Sequence, residues 1–216
     1  MRRKHYVIIE GCIGLGKTTL AKALAPYLDA RIMYEPTEIE NPYLDDYYAN
    51  PCEYAFKMQI HLLWRRYRAH QLAQCLVMQG ERSVVSDRSY FGDRAFARVQ
   101  RDLGYFDDRD YETYCKLHQD MARTLVFPSC VVLLCGSKEL SLSRVKRRGR
   151  PCEASITTDY LQRVQNATVD EICALGSTAD VFLTLDASMP VSTLVHEILK
   201  SLETRECAGL ETYRSV

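Results

Sequence analysis

One stretch of this chain has residues spaced for holding phosphate. Gly11-Cys12-Ile13-Gly14-Leu15-Gly16-Lys17-Thr18, with Thr19 following, fits the pattern GxxxxGK[ST]. Glycines in such a loop let successive backbone N–H groups curl round phosphate oxygens, and the following helix adds partial positive charge at its N-terminus. Lys17 is then placed to bridge the β- and γ-phosphates of ATP, and the Thr18 hydroxyl to ligate Mg²⁺. A second cationic group comes late in the chain, where Arg144, Lys146, Arg147, Arg148 and Arg150 fall within one helical end. Arg144 and Arg148 are i, i+4 neighbours, so both guanidinium groups leave one face and suit the clamping of a γ-phosphate. A solvated charged face is the alternative reading of such a run. A nucleic-acid surface is disfavoured: Lys+Arg and Asp+Glu both total 28, the net charge is zero, and no aromatics interleave the run.

Phosphoryl transfer also needs a group to receive the acceptor's proton. Glu35 follows the apolar run Ile32–Tyr34 and precedes Pro36, which favours extended backbone at Glu35 and ends the strand there. A carboxylate at the carboxyl edge of a sheet, beside the phosphate loop, can take a proton from an attacking hydroxyl. It could also be an N-cap or a surface charge. Ser86-Asp87-Arg88-Ser89 closes another apolar run. Asp87 could hold a water on Mg²⁺ and Arg88 could reach the transferring phosphoryl group, or Asp87 could cap the next helix. Gln59 and Arg66, seven residues apart, share a helical face with Phe56, Leu63 and Tyr67, while Lys57, His61, Arg65 and Arg68 lie opposite. An amide and a guanidinium in an apolar stripe need buried partners, either a nucleobase edge or a neighbouring carboxylate.

The elements that must position these groups alternate between strand-length apolar runs and longer helical periods. Strands are expected at Tyr6–Ile9, Ile32–Tyr34, Ser83–Ser86, Cys130–Leu134 and Val181–Leu185. Helices are expected at Lys17–Leu28, Glu53–Met78, Arg94–Leu103, Tyr111–Leu125, Leu140–Arg148, Thr158–Leu175 and Val191–Leu202. Helical connections imply parallel pairing with right-handed crossovers. The fold class is therefore α/β: a P-loop NTPase-like, doubly wound, five-stranded parallel sheet flanked by helices, with an Arg-rich lid. A length of 216 residues, 47% of them hydrophobic, suits one domain with a full core. We expect it over residues 1–205, with the lid at about 144–157 and a polar tail, frayed after Glu203, at 206–216. The nine cysteines show no paired CxxC spacing, which favours reduced thiols in a cytoplasmic protein over disulfides or zinc. No apolar run reaches membrane-spanning or signal-peptide length.

With these residues in place, the chain resembles the deoxyribonucleoside kinase family, which includes deoxycytidine, deoxyguanosine and deoxyadenosine kinases. The resemblance runs from the phosphate loop through the lid. Tyr48 to Gln59 is similar to the family's approach to its base-binding helix, Asp87-Arg88-Ser89 to its acidic-Arg-Ser motif, and Arg144, Arg148, Gly149 and Arg150 to its lid. It implies transfer of the ATP γ-phosphate to the 5′-hydroxyl of a deoxyribonucleoside in nucleotide salvage, with Mg²⁺ and a homodimer. By the same resemblance, Tyr48 and Glu153 hold the sugar 3′-hydroxyl, Gln59 reads the base edge bidentately, and Arg66 with Asp93 forms a charged pair at that edge. Asp93 would accept from an exocyclic amine and Arg66 donate to a ring nitrogen or carbonyl, favouring purines or cytosine over thymine. Two departures stand out: Phe96 lies one residue earlier than the family's stacking aromatic, and Cys152 replaces a more acidic neighbour of Glu153.

Two other functions fit parts of the pattern. A thymidylate kinase-like monophosphate kinase is partly echoed by Asp87-Arg88-Ser89 with Ala95-Phe96. A phosphorylated acceptor would need cations near Glu35, whereas Glu35-Pro36-Thr37-Glu38-Ile39-Glu40 is acidic. A nucleotide-binding switch without catalysis would not require Glu35, Gln59 and Arg66 to line a pocket facing the loop.

Overall fold

The computed structural model describes residues 3–35, 41–176 and 178–214, without the side chains of residues 152 and 206–214. Five strands, β1 Tyr6–Gly11, β2 Ala30–Met33, β3 Ser83–Asp87, β4 Cys130–Cys135 and β5 Val181–Asp186, form one parallel sheet in the order β2-β3-β1-β4-β5. Ile9 sits opposite Asp87, and Gly11 opposite Leu134. After β3 the chain crosses over β1 to the other half of the sheet. The carboxyl ends of β1 and β3 thus open beside the reversal in winding where such folds hold ligands. The α/β class, the strand count and the parallel pairing agree with the sequence reading.

The helices are α1 Lys17–Leu28, α2 Leu44–Ala49, α3 Pro51–Met78, α4 Asp93–Asp102, α5 Asp108–Ala122, α6 Lys138–Arg148, α7 Thr158–Cys173 and α8 Val191–Arg214, with a 3₁₀ turn at Pro151–Glu153. Alternation along the central strands divides the core into two layers. From β1, Val7 and Ile9 pack with Leu20 and Leu24 of α1 and Ile198 of α8. Tyr6 and Ile8 pack on the opposite side with Met58 and Leu63 of α3 and Tyr114 of α5.

Several boundaries differ from expectation for local reasons. Strand β2 begins at Ala30 because its ladder with β3 starts there, Ala30 opposite Ser83, although Arg31 is exposed. Pro51 stands in the first turn of α3, a position where its missing N–H costs nothing. Asp107 caps α5 by accepting from the Asp110 N–H at 2.7 Å, which starts that helix three residues ahead of its first aromatic, Tyr111. The short helix α2 was not foreseen. The last helix continues to Arg214 where fraying after Glu203 was expected, since Glu, Arg, Ala and Leu in that stretch all propagate a helix readily. No helix among the described residues is long and apolar enough to cross a membrane.

Candidate active site

A cavity of about 550 Å³ opens at the carboxyl edge of the sheet. Its floor is the loop between β1 and α1. Gly11 has φ +145°, and a Cβ there would lie 2.5 Å from the Leu134 carbonyl oxygen. At Gly14, with φ +79°, a Cβ would meet the Ser141 carbonyl at 2.6 Å. Only glycine fits either place without displacing backbone. Lys17 is buried, and its Nζ donates to the Cys12 carbonyl at 2.8 Å. Burial, then repulsion from Arg88, pulls its pKa down to about 8 against the attraction of Asp87 and Glu35. Thr18 Oγ1 donates to Asp87 Oδ2 in a short hydrogen bond. This hydroxyl and carboxylate are the hard oxygen donors that Mg²⁺ takes, so the two residues fit the metal role expected of them.

Glu35, just past the end of β2, faces this loop across the cavity. Its Oε1 accepts from Arg66 Nη2 at 2.6 Å and its Oε2 from Arg88 Nε at 2.9 Å. Burial alone would raise its pKa. Arg88, then Arg66 and Lys17, outweigh that and hold the carboxyl at about 2. Arg88 also donates from Nη1 to the Gly11 carbonyl at 3.2 Å, tying the carboxylate to the start of the phosphate loop. Its backbone lies at φ +71°. A non-glycine residue persists there only where surrounding contacts over-determine it.

Besides those to Glu35 and Gly11, such contacts come from Glu10, which sequence reading missed. Glu10 extends β1 and is almost fully buried, 1% exposed. Its Oε1 accepts from both the N–H and the hydroxyl of Ser89 at 2.7 Å, and its Oε2 stands 4.0 Å from Arg88 Nη1. The signal was present: an acidic residue continuing an apolar strand into a glycine needs a buried partner.

The remaining site residues divide by whether they reach the cavity. Tyr48, Gln59, Arg66, Arg88, Phe96, Arg144, Arg148, Arg150 and Glu153 line it together with the loop from Ile13 to Thr19, whereas Gly11, Cys12, Asp87 and Asp93 do not. Asp87 lines a neighbouring cavity with Glu35 and Arg88. Asp93 is completely buried; its carboxylate accepts from Gln59 Nε2 at 2.7 Å, from Tyr114 Oη at 2.5 Å and from Arg66 Nη1. It therefore orients Gln59 and Arg66 instead of facing a base, which corrects its expected role as acceptor for an exocyclic amine. Gln59 spends its amide nitrogen on Asp93, so its reading of an edge is not bidentate in this arrangement. Phe96 lies beneath both cations, its ring centroid 4.7 Å from Arg88 Cζ and 5.7 Å from Arg66 Cζ.

The lid arginines also differ from expectation. Arg144 donates to the Leu15 carbonyl at 3.1 Å and the Ala187 carbonyl at 3.0 Å, clasping the phosphate loop to the turn after β5. Arg148 forms a two-pronged pair with Glu153, from Nη2 at 2.5 Å to Oε1 and from Nε at 3.1 Å to Oε2. Sharing a helical face did not send the two guanidinium groups to one target, because each meets nearer acceptors. Glu153 is thereby committed to Arg148 and, at 3.5 Å, to Arg150. The acidic run 36–40, invoked against a phosphorylated acceptor, lies outside the described residues.

Residues 7–202 match the family model described as deoxynucleoside kinase. The chain belongs to the deoxynucleoside kinase family. It is 41% identical over 162 residues to a deoxyadenosine kinase of Dictyostelium discoideum, covering 75% of this chain and 64% of that protein. A deoxyguanosine kinase of the same organism is 31% identical over 180 residues, 83% of this chain and 63% of the relative. The matched part thus spans slightly less than two thirds of each. Among solved structures, deoxyadenosine kinase from M. mycoides with bound dCTP superposes with a TM-score of 0.80 at 28% identity, covering 92% of this chain and 99% of that one.

In this deoxynucleoside kinase family member, Glu10 buttresses the Asp87-Arg88-Ser89 turn, and the consequence is measurable. Glu10→Leu keeps much of the volume but leaves the buried Ser89 N–H and hydroxyl without their acceptor. A buried donor left unpaired costs about 1–3 kcal/mol, and a chain of this size loses about 2–4 °C of Tm per kcal/mol. We expect a fall of several degrees in a thermal scan; an unchanged Tm would show that the turn holds without Glu10.

Proposed function

We propose that this protein transfers the γ-phosphoryl group of ATP to the 5′-hydroxyl of a deoxyribonucleoside, favouring a purine or cytosine base over thymine. The observation that carries this reading is an ionised carboxylate, Glu35, held by two buried arginines in the same cavity as the phosphate loop. One of those arginines is also bonded to the loop itself. ATP with Mg²⁺ supplies the electrophilic phosphorus. The chain's own work is to bind, orient and neutralise charge. The loop amides and Lys17 receive phosphate oxygens, Thr18 and, through a water, Asp87 would hold the metal, and Arg88 faces the charge that develops on the γ-phosphoryl group. Glu35 orients the acceptor hydroxyl and takes its proton, and Tyr48 holds the sugar. Arg144 and Arg148 complete the anionic site by exchanging their present acceptors for phosphate oxygens, and Glu153, released from Arg148, reaches the 3′-hydroxyl. A cytoplasmic homodimer engaged in nucleotide salvage belongs to the same reading.

A panel tests this reading: ATP-dependent turnover of the four deoxyribonucleosides, their 5′-monophosphates and the ribonucleosides. We expect turnover of deoxyadenosine, deoxyguanosine or deoxycytidine, with thymidine weaker and monophosphates inert. Turnover confined to monophosphates would replace the nucleoside acceptor with a phosphorylated one.

A further inference from the structure

Among the described residues, two that line the cavity carry a buried polar atom with no hydrogen-bond partner: Arg66, at Nε, and Gln100, at Oε1. Gln100 lies on α4, four residues after Phe96 and on the same helical face, and is 1% exposed. Nothing in its sequence context singles it out.

Its orientation follows from its neighbour. The nitrogen end of Gln59 faces two acceptors, the Asp93 carbonyl at 3.2 Å and Asp93 Oδ2 at 2.7 Å. Turning the amide over would set oxygen against both, so Nε2 stays there and Oε1 points away. That oxygen accepts from Gln100 Nε2 at 3.2 Å. Gln100 thus has its donor end committed to Gln59, and its own oxygen is left in the cavity wall without a donor. A buried acceptor in that state is costly unless a ligand supplies the missing N–H.

We infer that Gln100 Oε1 accepts a hydrogen bond from the exocyclic amino group of the substrate's base, making Gln100 a specificity-determining residue of this site. The inference rests on the nucleoside kinase reading above. It gives to Gln100 an acceptor role that Asp93, completely buried, outside the cavity lining and already taking three side-chain donors, does not fill. Adenine, cytosine and guanine each carry an exocyclic amino group. The exocyclic groups of thymine are keto oxygens and a methyl, so a keto oxygen there would face another acceptor.

Three substrate pairs test this and distinguish the bases: deoxyadenosine against purine 2′-deoxyriboside, deoxyguanosine against deoxyinosine, and deoxycytidine against 2-pyrimidinone 2′-deoxyriboside. In each pair the second member lacks the amino group. With the wild-type enzyme we expect kcat/KM to favour the amino-bearing member of at least one pair by about 10- to 100-fold, mainly through KM. In Gln100→Leu, and in the similarly sized Gln100→Met should the first fold poorly, that ratio should fall towards one. The ratio itself is the readout, because a generally damaged fold lowers both members of a pair alike and leaves their ratio where it was. An unchanged ratio in the variants overturns the inference and leaves the kinase reading intact, as does a wild-type enzyme indifferent to the amino group in all three pairs. Absence of turnover with every deoxyribonucleoside overturns the kinase reading itself.

Discussion

Replacing Arg88 by lysine should lower kcat for deoxyribonucleoside phosphorylation by about 10³–10⁵-fold, the range for losing an arginine that meets transition-state charge. Charge alone is not what this position supplies. The guanidinium is buried and addresses two acceptors at once, Glu35 Oε2 through Nε and the Gly11 carbonyl through Nη1. An ammonium has no planar fork with which to span them. Glu35 would then keep a positive charge beside it but lose its Arg88 hydrogen bond, and the link between acceptor side and phosphate loop would break. On the proposed function Arg88 meets charge that grows during transfer, so kcat should fall far more than the KM for the nucleoside rises. The measurement is steady-state kinetics on a variant whose circular dichroism and Tm show a folded domain. A kcat within about tenfold of wild type, less than loss of one well-placed donor costs, would remove Arg88 from the transfer step.

Much of this candidate site is legible in the sequence because it sits at places that local rules mark. The phosphate loop is an interrupted strand followed by a helix, with glycines that backbone geometry requires at Gly11 and Gly14. Glu35 and Asp87-Arg88 were found because parallel strands deliver their carboxyl ends to one edge. Side-chain partnership is what spacing alone does not decide. Arg144 and Arg148 share a face, yet one turns to backbone carbonyls and the other to Glu153. Asp93 was rightly associated with Arg66, but its burial and its bond from Tyr114, on a different helix, are tertiary facts that reverse its role. Glu10 and Gln100 escaped notice for opposite reasons. Glu10 continued an apolar run and was cut from the strand that contains it. Gln100 lay on a helix of polar composition, where nothing distinguishes a buried amide from an exposed one.

Glu35→Gln should lower kcat by about 10²–10⁴-fold, the usual range for removing a positioned proton acceptor. The amide can still accept a hydrogen bond from Arg66 or Arg88 but cannot receive the hydroxyl proton. Its pH behaviour separates this role from simple charge balance. The carboxyl titrates at about 2 in the folded site against an ordinary value of 4.5. Ionised Glu35 therefore stabilises the fold fully above about pH 4.5, and that contribution is lost as pH falls towards 2. The wild-type kcat/KM profile should accordingly show no acid limb near 4.5 from this residue. An alkaline limb is expected instead, because Lys17, needed as a cation, has its pKa drawn down to about 8. Phosphate oxygens favour the charged ammonium, so under saturating ATP the corresponding limb in kcat should move to higher pH. Glu35→Gln should keep a descending alkaline limb at a much lower rate, moved to lower pH because the carboxylate that helps hold Lys17 charged is gone. An acid limb near 4.5 in the wild type would mean that Arg66 and Arg88 do not hold Glu35 ionised. A variant rate within about tenfold of wild type would mean that the acceptor hydroxyl loses its proton elsewhere, since general-base removal costs more than that.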